Sequence, residues 1–457
     1  MPSSRPRVHA GPSGETCDHY PRSYYAATIG GETGPNPPNA APPNGAHLKG
    51  GTFADVCVIG GGFTGLGAAL ALARAGRSVR LIDRGPIGWG ASGRNGGQVH
   101  VGWQQDLPWL AARLGAGMAR DLWQGALAAR SHLDGLIALA DDACDYRPGL
   151  IHADHRAGQV PHTHAHVAMM RDDRGYDSLT ALTRDEMRAL VGSADYHGGS
   201  LDRRGGHLNP LKLALTMARA AQAAGAQIHP HSPCLAIDQT GDGWRVTTPA
   251  GSVRAGQVLD ATGAYARALV PQADARVLPI NNYIATTEPL DPEVARSLIS
   301  NGAAVSDGRF VVYYFRLTPD HRLLFGGGES YGYRFPRDIG AFVRPHMARI
   351  FPQLADVAID HAWGGTLAVS PNRLPFVIEP APGLFAVNGF SGVGVVLAPW
   401  LGDSVGQFMA GGPMAGTANS GYDLVKRLPA PRFPGGTLLR WPTQALAMRF
   451  MALRDRF

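Results

Sequence analysis

Residues 56–70, VCVIGGGFTGLGAAL, constrain the fold more than any other stretch of the chain. An apolar run ends in glycines, and an alanine-rich apolar run follows. This pattern reads as a buried strand, a tight turn and the first turns of a helix. Gly60, Gly62 and Gly65 fall in the G-x-G-x-x-G frame. The first glycine permits the turn, the second lets the backbone approach a pyrophosphate, and the third lets helix pack on strand. Phe63 and Thr64 open the helix, whose free N–H groups favour phosphate. A second strand, SVRLID (78–83), completes a βαβ unit and ends at Asp83 and Arg84. A carboxylate at that point accepts hydrogen bonds from a ribose. The chain is therefore expected to be α/β, with a Rossmann-like dinucleotide domain.

Three later stretches favour a long flavin dinucleotide over a nicotinamide one. GWGASGRNGGQ (88–98) follows the second strand directly, where a nicotinamide enzyme would enter its next helix. Here Ala91, Ser92, Arg94, Asn95, Gly96, Gly97 and Gln98 are candidates to run along the cofactor. LDATGAYA (259–266) adds Ala261, Thr262, Gly263 and Tyr265. NGFSGVGVV (388–396) opens a late helix and adds Gly389, Phe390, Ser391, Gly392, Val393, Gly394 and Val395. The positive end of that helix would favour a reduced, anionic flavin. Cys234 completes the cofactor set.

Elsewhere the chain reads as 1–50, a flexible arm rich in Pro and Gly, except that the tyrosines of SYYAAT (23–28) can dock. Residues 416–457 read as a tail with a packing helix, and a long β-rich part begins at about 276. Residues 107–140 read as helical. TRDE (183–186) is a capping box, and NPLKLALTMARAAQAAG (209–225) is a helix with proline at its start.

The net charge of +6 comes almost wholly from arginine, with lysine only at Lys49, Lys212 and Lys426. No basic run is long enough to suggest a nucleic-acid partner. No apolar run is long enough to span a membrane. Four scattered cysteines, Cys17, Cys57, Cys144 and Cys234, read as a reduced cytoplasmic protein. The five histidines of HADHRAGQVPHTHAH (152–166) lack cysteine or carboxylate partners at metal spacing, so no metal is expected.

On GWGASGRNGGQ, GGHLNPLKLA, TTEPL, YYFRLTPDHRLLFGGG, NRLPF and NGFSGVGVVLAP, the chain resembles the FAD-dependent D-amino-acid oxidase superfamily. Within it, the chain is most similar to the γ-glutamylputrescine oxidoreductase-like branch. The resemblance implies an FAD domain assembled from the discontinuous segments 51–145, 200–275 and 360–415, roofed by a β-rich substrate domain built from 146–199 and 276–359. It implies hydride transfer from an amine α-carbon to flavin N5, hydrolysis of the imine, and reoxidation by O₂ to give H₂O₂. It names a small-molecule amine and O₂ as partners and leaves the oligomeric state open.

Two departures bear on substrate and cofactor. The superfamily's amino-acid oxidases carry an arginine after the late Trp-Gly stretch, whereas AWGGTLAVSP places Thr366, Leu367 and Ala368 there. An amine lacking an α-carboxylate fits better. Residues 85–99 hold no cysteine or histidine, so FAD is expected to be non-covalent. Tyr314, Arg316 and Trp363 are the candidate catalytic residues. Tyr314 and Arg316 share one face of a strand, and the arginine can bind a distal carboxylate such as a γ-glutamyl group. Pipecolate and N-methyl amino acids remain alternative substrates. A dehydrogenase passing electrons to a quinone and a non-catalytic flavin-binding electron-transfer subunit are the alternative functions.

Overall fold

A computed structural model describes residues 17–29, 45–241, 243–265, 269–309, 311–330, 334–411 and 420–437. Within them lie two large sheets. The first places strand Gly50–Ile59 between Val79–Ile82 and Gly251–Asp260, all parallel. Val58 stands opposite Leu81 on one side and Leu259 on the other. All three side chains are buried. That explains the unbroken apolar run, because a central parallel strand is covered on both faces. Strand Leu384–Asn388 pairs parallel to Gly251–Asp260, so the late part of the chain returns to the sheet that carries the glycine turn, with Phe376–Ala381 on its outer side.

Helix Phe63–Arg74 is buried along almost its whole length. Its outer face is covered by the late helix Gly394–Met409. Three glycines set that crossing. A Cβ on Gly67 would lie 2.4 Å from the carbonyl oxygen of Pro399, and one on Gly406 would lie 2.7 Å from that of Ala68. Gly402 meets Thr64 in the same way. Backbones in such contact allow no side chain between them.

The second sheet runs through Ile359–Val369, Leu278–Thr287, Leu323–Ser330, Tyr314–Leu317, Ala304–Asp307, Arg147–Ala153, Gly199–His207 and Gln98–Val99. Its longest pairing is antiparallel, from Leu278 opposite Val369 to Thr287 opposite Ile359. Strands Gly199–His207 and Ile359–Val369 belong to this second sheet, as does the short Gln98–Val99 inside the first expected segment. Alternating polar and small residues such as DRRGGH gave no signal of which sheet they would join. The helix expected over 107–140 is two helices, Leu107–Leu114 and Ala116–Ile137, parted at Gly115 with φ 90°.

Tyr24–Ile29 is a short helix with Tyr24 and Tyr25 buried against the body. Thr183 and Glu186 form the capping box of helix Arg184–Leu190. The tail helix read in TQALAMRFMALRDRF lies outside the described residues. No described helix is long and apolar enough to cross a membrane.

Candidate active site

A cavity of about 470 Å³ opens where the first sheet meets the second. Its floor is the glycine turn: Gly60, Gly62, Phe63 and Thr64 line it. Gly60 has φ 112°, and a Cβ there would lie 2.6 Å from the carbonyl oxygen of Ala261. The turn is held from both sides. The Gly60 N–H donates to Ile82 O at 2.9 Å, and the Phe63 N–H donates to Ser92 Oγ at 2.9 Å. The first in-helix bond is Leu66 N–H to Gly62 O, so the preceding N–H groups of Gly62, Thr64 and Gly65 lie ahead of the ladder.

Asp83 closes one end of the cavity. Its carboxylate accepts from Gly61 N–H at 2.5 Å and Gly85 N–H at 2.8 Å. Burial pushes this carboxyl above its usual range, and those two N–H bonds pull it back. Beside it, the Nη2 of Arg84 is buried on the wall and has no partner among the described residues. Ala91, Ser92 and Asn95 line the next portion, then Cys234, Ala261, Thr262, Gly263 and Tyr265. Phe390, Ser391, Gly392, Gly394 and Val395 complete it at the N-terminus of the late helix.

The residues fit FAD. The glycine turn leaves room for a pyrophosphate, a carboxylate and a guanidinium with a buried, unbonded Nη2 stand at one end, and two helix N-termini face the same space. Segments from the beginning, middle and end of the chain meet there, as a long dinucleotide requires.

Several expected contacts fall elsewhere. Gly65 lies behind the turn, where its Cβ would be 1.9 Å from Gly60 O, so its role is helix–strand packing. Gly97, with φ 75°, is pressed against Leu208 O. Gln98 donates to Val305 O at 2.7 Å. Gly389 backs onto Phe376 and Ser370, and Val393 caps the late helix. Arg94 is buried, with Nε on Trp89 O at 2.7 Å and its guanidinium 4.2 Å from the Trp89 ring. It braces the loop.

The three residues named for catalysis are also off the cavity wall. Tyr314 and Arg316 both reach Gly96 from one strand. The Tyr314 ring covers the Gly96 α-carbon, and Arg316 Nε donates to Gly96 O at 2.9 Å. Arg316 Nη2 donates to Leu208 O and Tyr25 Oη, its Nη1 lies 3.5 Å from Leu317 O, and the residue is 2% exposed. These bonds tie it to the backbone beside the cavity rather than to the cavity wall. Trp363 is buried with its indole N–H on Arg94 O at 2.9 Å.

Sequence reasoning missed Trp89, Ser232, Leu235, Leu269, Thr366, Leu367 and Ala368 on the wall. In the sequence, Thr366–Ala368 stand out only as the place of an absent arginine. Ser232 follows His231, whose positive φ of 52° turns the chain toward the cavity; nothing in the sequence marks that turn. In the histidine-rich segment, His152 Nε2 meets Asp154 Oδ1 at 3.3 Å and His164 Nε2 bonds Leu182 O at 3.0 Å.

A cavity built from such segments defines a flavin-dependent oxidoreductase. Residues 55–407 match the family model described as DAO, FAD dependent oxidoreductase, and the chain belongs to that family. It is 38% identical over 412 residues to "Probable oxidoreductase OrdL" of Rhizobium meliloti (strain 1021), covering 90% of this chain and 94% of that one. It is 34% identical over 409 residues to γ-glutamylputrescine oxidoreductase of Escherichia coli (strain K12), covering 88% and 93%. Its fold is shared with glycine oxidase from Geobacillus kaustophilus, with a TM-score of 0.67 and 22% identity over 80% of this chain and 96% of that one. The protein is an enzyme with FAD as its cofactor.

Proposed function

We propose that the enzyme oxidises an amine whose reacting carbon carries no carboxylate, of the γ-glutamylputrescine kind. One observation carries this reading. Among the described wall residues the charged side chains are Asp83 and Arg84, together at the end of strand Val79–Ile82. The other end is walled by Tyr265, Thr366, Leu367, Ala368, Phe390 and Ser391. Among the described wall residues an α-carboxylate there would meet hydroxyl groups and apolar surface but no cation, and burying an unpaired anion is costly. The relative at 34% identity is named for a substrate of this class.

Bound FAD supplies the two-electron acceptor for the C–H bond beside the nitrogen, with O₂ as the final acceptor and H₂O₂ as product. The chain supplies binding, orientation and a dry surface. Leu367, Ala368 and Phe390 keep water from that end. Tyr265 is held rigid, its hydroxyl accepting from Thr366 N–H at 2.9 Å and its ring edge-on to Trp89 at 5.6 Å. Thr366 is oriented by its own bond to Asn281 Oδ1 at 2.9 Å.

FAD is held without a covalent link. Cys234 is the cysteine on the described wall, and burial pushes its thiol up to about 12. A protonated thiol is a poor nucleophile. The four free cysteines suit a reducing cytoplasmic setting. The test is a panel of amines, pipecolate and N-methyl amino acids assayed in air with peroxide detection. Peroxide formation with γ-glutamylputrescine-like amines is expected. Turnover of the amino acids alone would overturn the substrate class, and turnover without peroxide would overturn O₂ as acceptor.

A further inference from the structure

Four consecutive carbonyls of the loop beside the cavity are each held by a different part of the chain. Arg94 O accepts from Trp363 Nε1 at 2.9 Å, and Asn95 O from Tyr25 Oη at 2.8 Å. Gly96 O accepts from Arg316 Nε at 2.9 Å, and Gly97 O from Leu208 N–H at 2.9 Å. The donors support one another. Arg316 Nη2 lies 3.2 Å from both Tyr25 Oη and Leu208 O, and the Tyr25 and Trp363 rings meet edge-to-face at 5.3 Å. Tyr25 comes from the N-terminal helix, Arg316 and Trp363 from two strands of the second sheet.

In a trans peptide the N–H points opposite to the C=O of the same plane. The described peptide bonds are all trans. Pulling the carbonyls of 94, 95 and 96 toward this brace therefore sends the N–H groups of Asn95, Gly96 and Gly97 the other way. The Gly97 N–H is taken up by Asn95 Oδ1 at 2.8 Å. The N–H groups of Asn95 and Gly96 have no acceptor among the described residues, although Gly96 is buried and Asn95 lines the cavity. A buried, unsatisfied N–H is costly and rare in a native protein. Gly96 also has no room for a side chain, since its Cβ would lie 2.6 Å from the Tyr314 ring.

We propose that Tyr25, Arg316 and Trp363 are positioning residues that fix the Asn95 and Gly96 N–H groups as a pair of donors for an electronegative edge of the FAD ring system. Donors fixed in this way stabilise the reduced, more negative ring over the oxidised one. Their direction is set from outside the dinucleotide domain, which gives the N-terminal helix a part in tuning the cofactor. This inference rests on FAD, which family membership supplies, and holds for any amine; its failure would leave the substrate reading standing.

The test is Tyr25→Phe in the FAD-loaded enzyme, which removes one donor and keeps the ring. Tyr20→Phe is its control: Tyr20 anchors the same N-terminal segment through Ile87 O at 2.6 Å, whereas the carbonyls of 94–97 are held by other donors. Losing one hydrogen bond is expected to cut the preference for reduced over oxidised FAD about fivefold. For a two-electron couple that lowers the midpoint potential by about 20 mV. Faster amide exchange at Asn95 and Gly96 should accompany it, and Tyr20→Phe should leave both measures at the wild-type values. Trp363→Phe, which removes the donor to Arg94 O, should shift the potential in the same direction and serves if Tyr25→Phe does not fold. An unchanged potential in the folded Tyr25→Phe or Trp363→Phe enzyme, or an equal shift in Tyr20→Phe, overturns the proposal.

Discussion

Gly402 and Thr64 touch through their backbones: a Cβ on Gly402 would lie 2.1 Å from the carbonyl oxygen of Thr64. The late helix thus presses on the first turn of the helix that carries the dinucleotide fingerprint. Helix propensity alone favours alanine over glycine by about 1 kcal/mol. The contact reverses that preference. Gly402→Ala should destabilise the protein by about 2 kcal/mol and release FAD more readily, because Thr64 lines the cavity. Thermal unfolding and the flavin content of the purified variant report both effects. A stabilised variant with full flavin content would show that the helices can part without cost.

Ser92 holds the turn from the loop side, accepting the Phe63 N–H at 2.9 Å. Ser92→Ala leaves that N–H without its protein partner and opens space beside Gly62. The expected loss is about 1 kcal/mol of FAD binding, or roughly fivefold in Kd. Titrating apoprotein with FAD and following flavin fluorescence measures it.

Asp83 accepts two backbone N–H groups with one carboxylate. Asp83→Asn keeps the size but turns an amide donor toward one of those N–H groups. Hydrogen bonds to a charged group contribute about 1.5–3 kcal/mol, so FAD affinity should fall at least tenfold. The same titration reads the change.

His207 supplies a pH signature. It is 1% exposed and its Nε2 bonds Gly302 O at 3.0 Å. Burial, with repulsion from Arg316, lowers its pKa to about 3. The folded protein therefore keeps this imidazole neutral at pH values where the unfolded chain protonates it. The stability it confers is complete above about pH 6.5. It is lost as pH falls from there toward 3, by up to about 1.4 kcal/mol per pH unit. His207→Gln should flatten that slope between pH 6.5 and 4.5 in urea unfolding. An unchanged slope would place the acid sensitivity in other groups.

The dinucleotide half of the site was legible because its chemistry is local. Gly60, Gly62, Thr64, Asp83, Ser92 and Asn95 stand within one βαβ unit and the loop after it, and their spacing encodes their positions. The later stretches 261–265 and 390–395 were legible for the same reason, as strand ends followed by glycine turns. The residues named for catalysis lie off the cavity wall, and for a different physical reason. Alternation along Tyr314–Leu317 places Tyr314 and Arg316 on one face, and both do reach Gly96. It cannot say whether that face meets solvent, substrate or four backbone carbonyls. Arg316 became a brace because Leu208, Gly96 and Tyr25 converge on it from positions 108, 220 and 291 residues away. The sheet membership of Gly199–His207 and Ile359–Val369 was hidden likewise, since pairing partners lie far along the chain.

The substrate claim rests on the absence of a cation at the Thr366–Ala368 end of the described cavity wall. The direct measurement is anaerobic reduction of the FAD-loaded enzyme by a matched pair, γ-glutamylputrescine and its analogue bearing a carboxylate on the reacting carbon, γ-glutamylornithine acylated at the side-chain nitrogen. The account predicts rapid loss of the oxidised flavin band with the first and a rate at least a hundredfold lower with the second, on the order of 3 kcal/mol for an unpaired buried carboxylate. Equal or faster reduction by the carboxylated partner would contradict it.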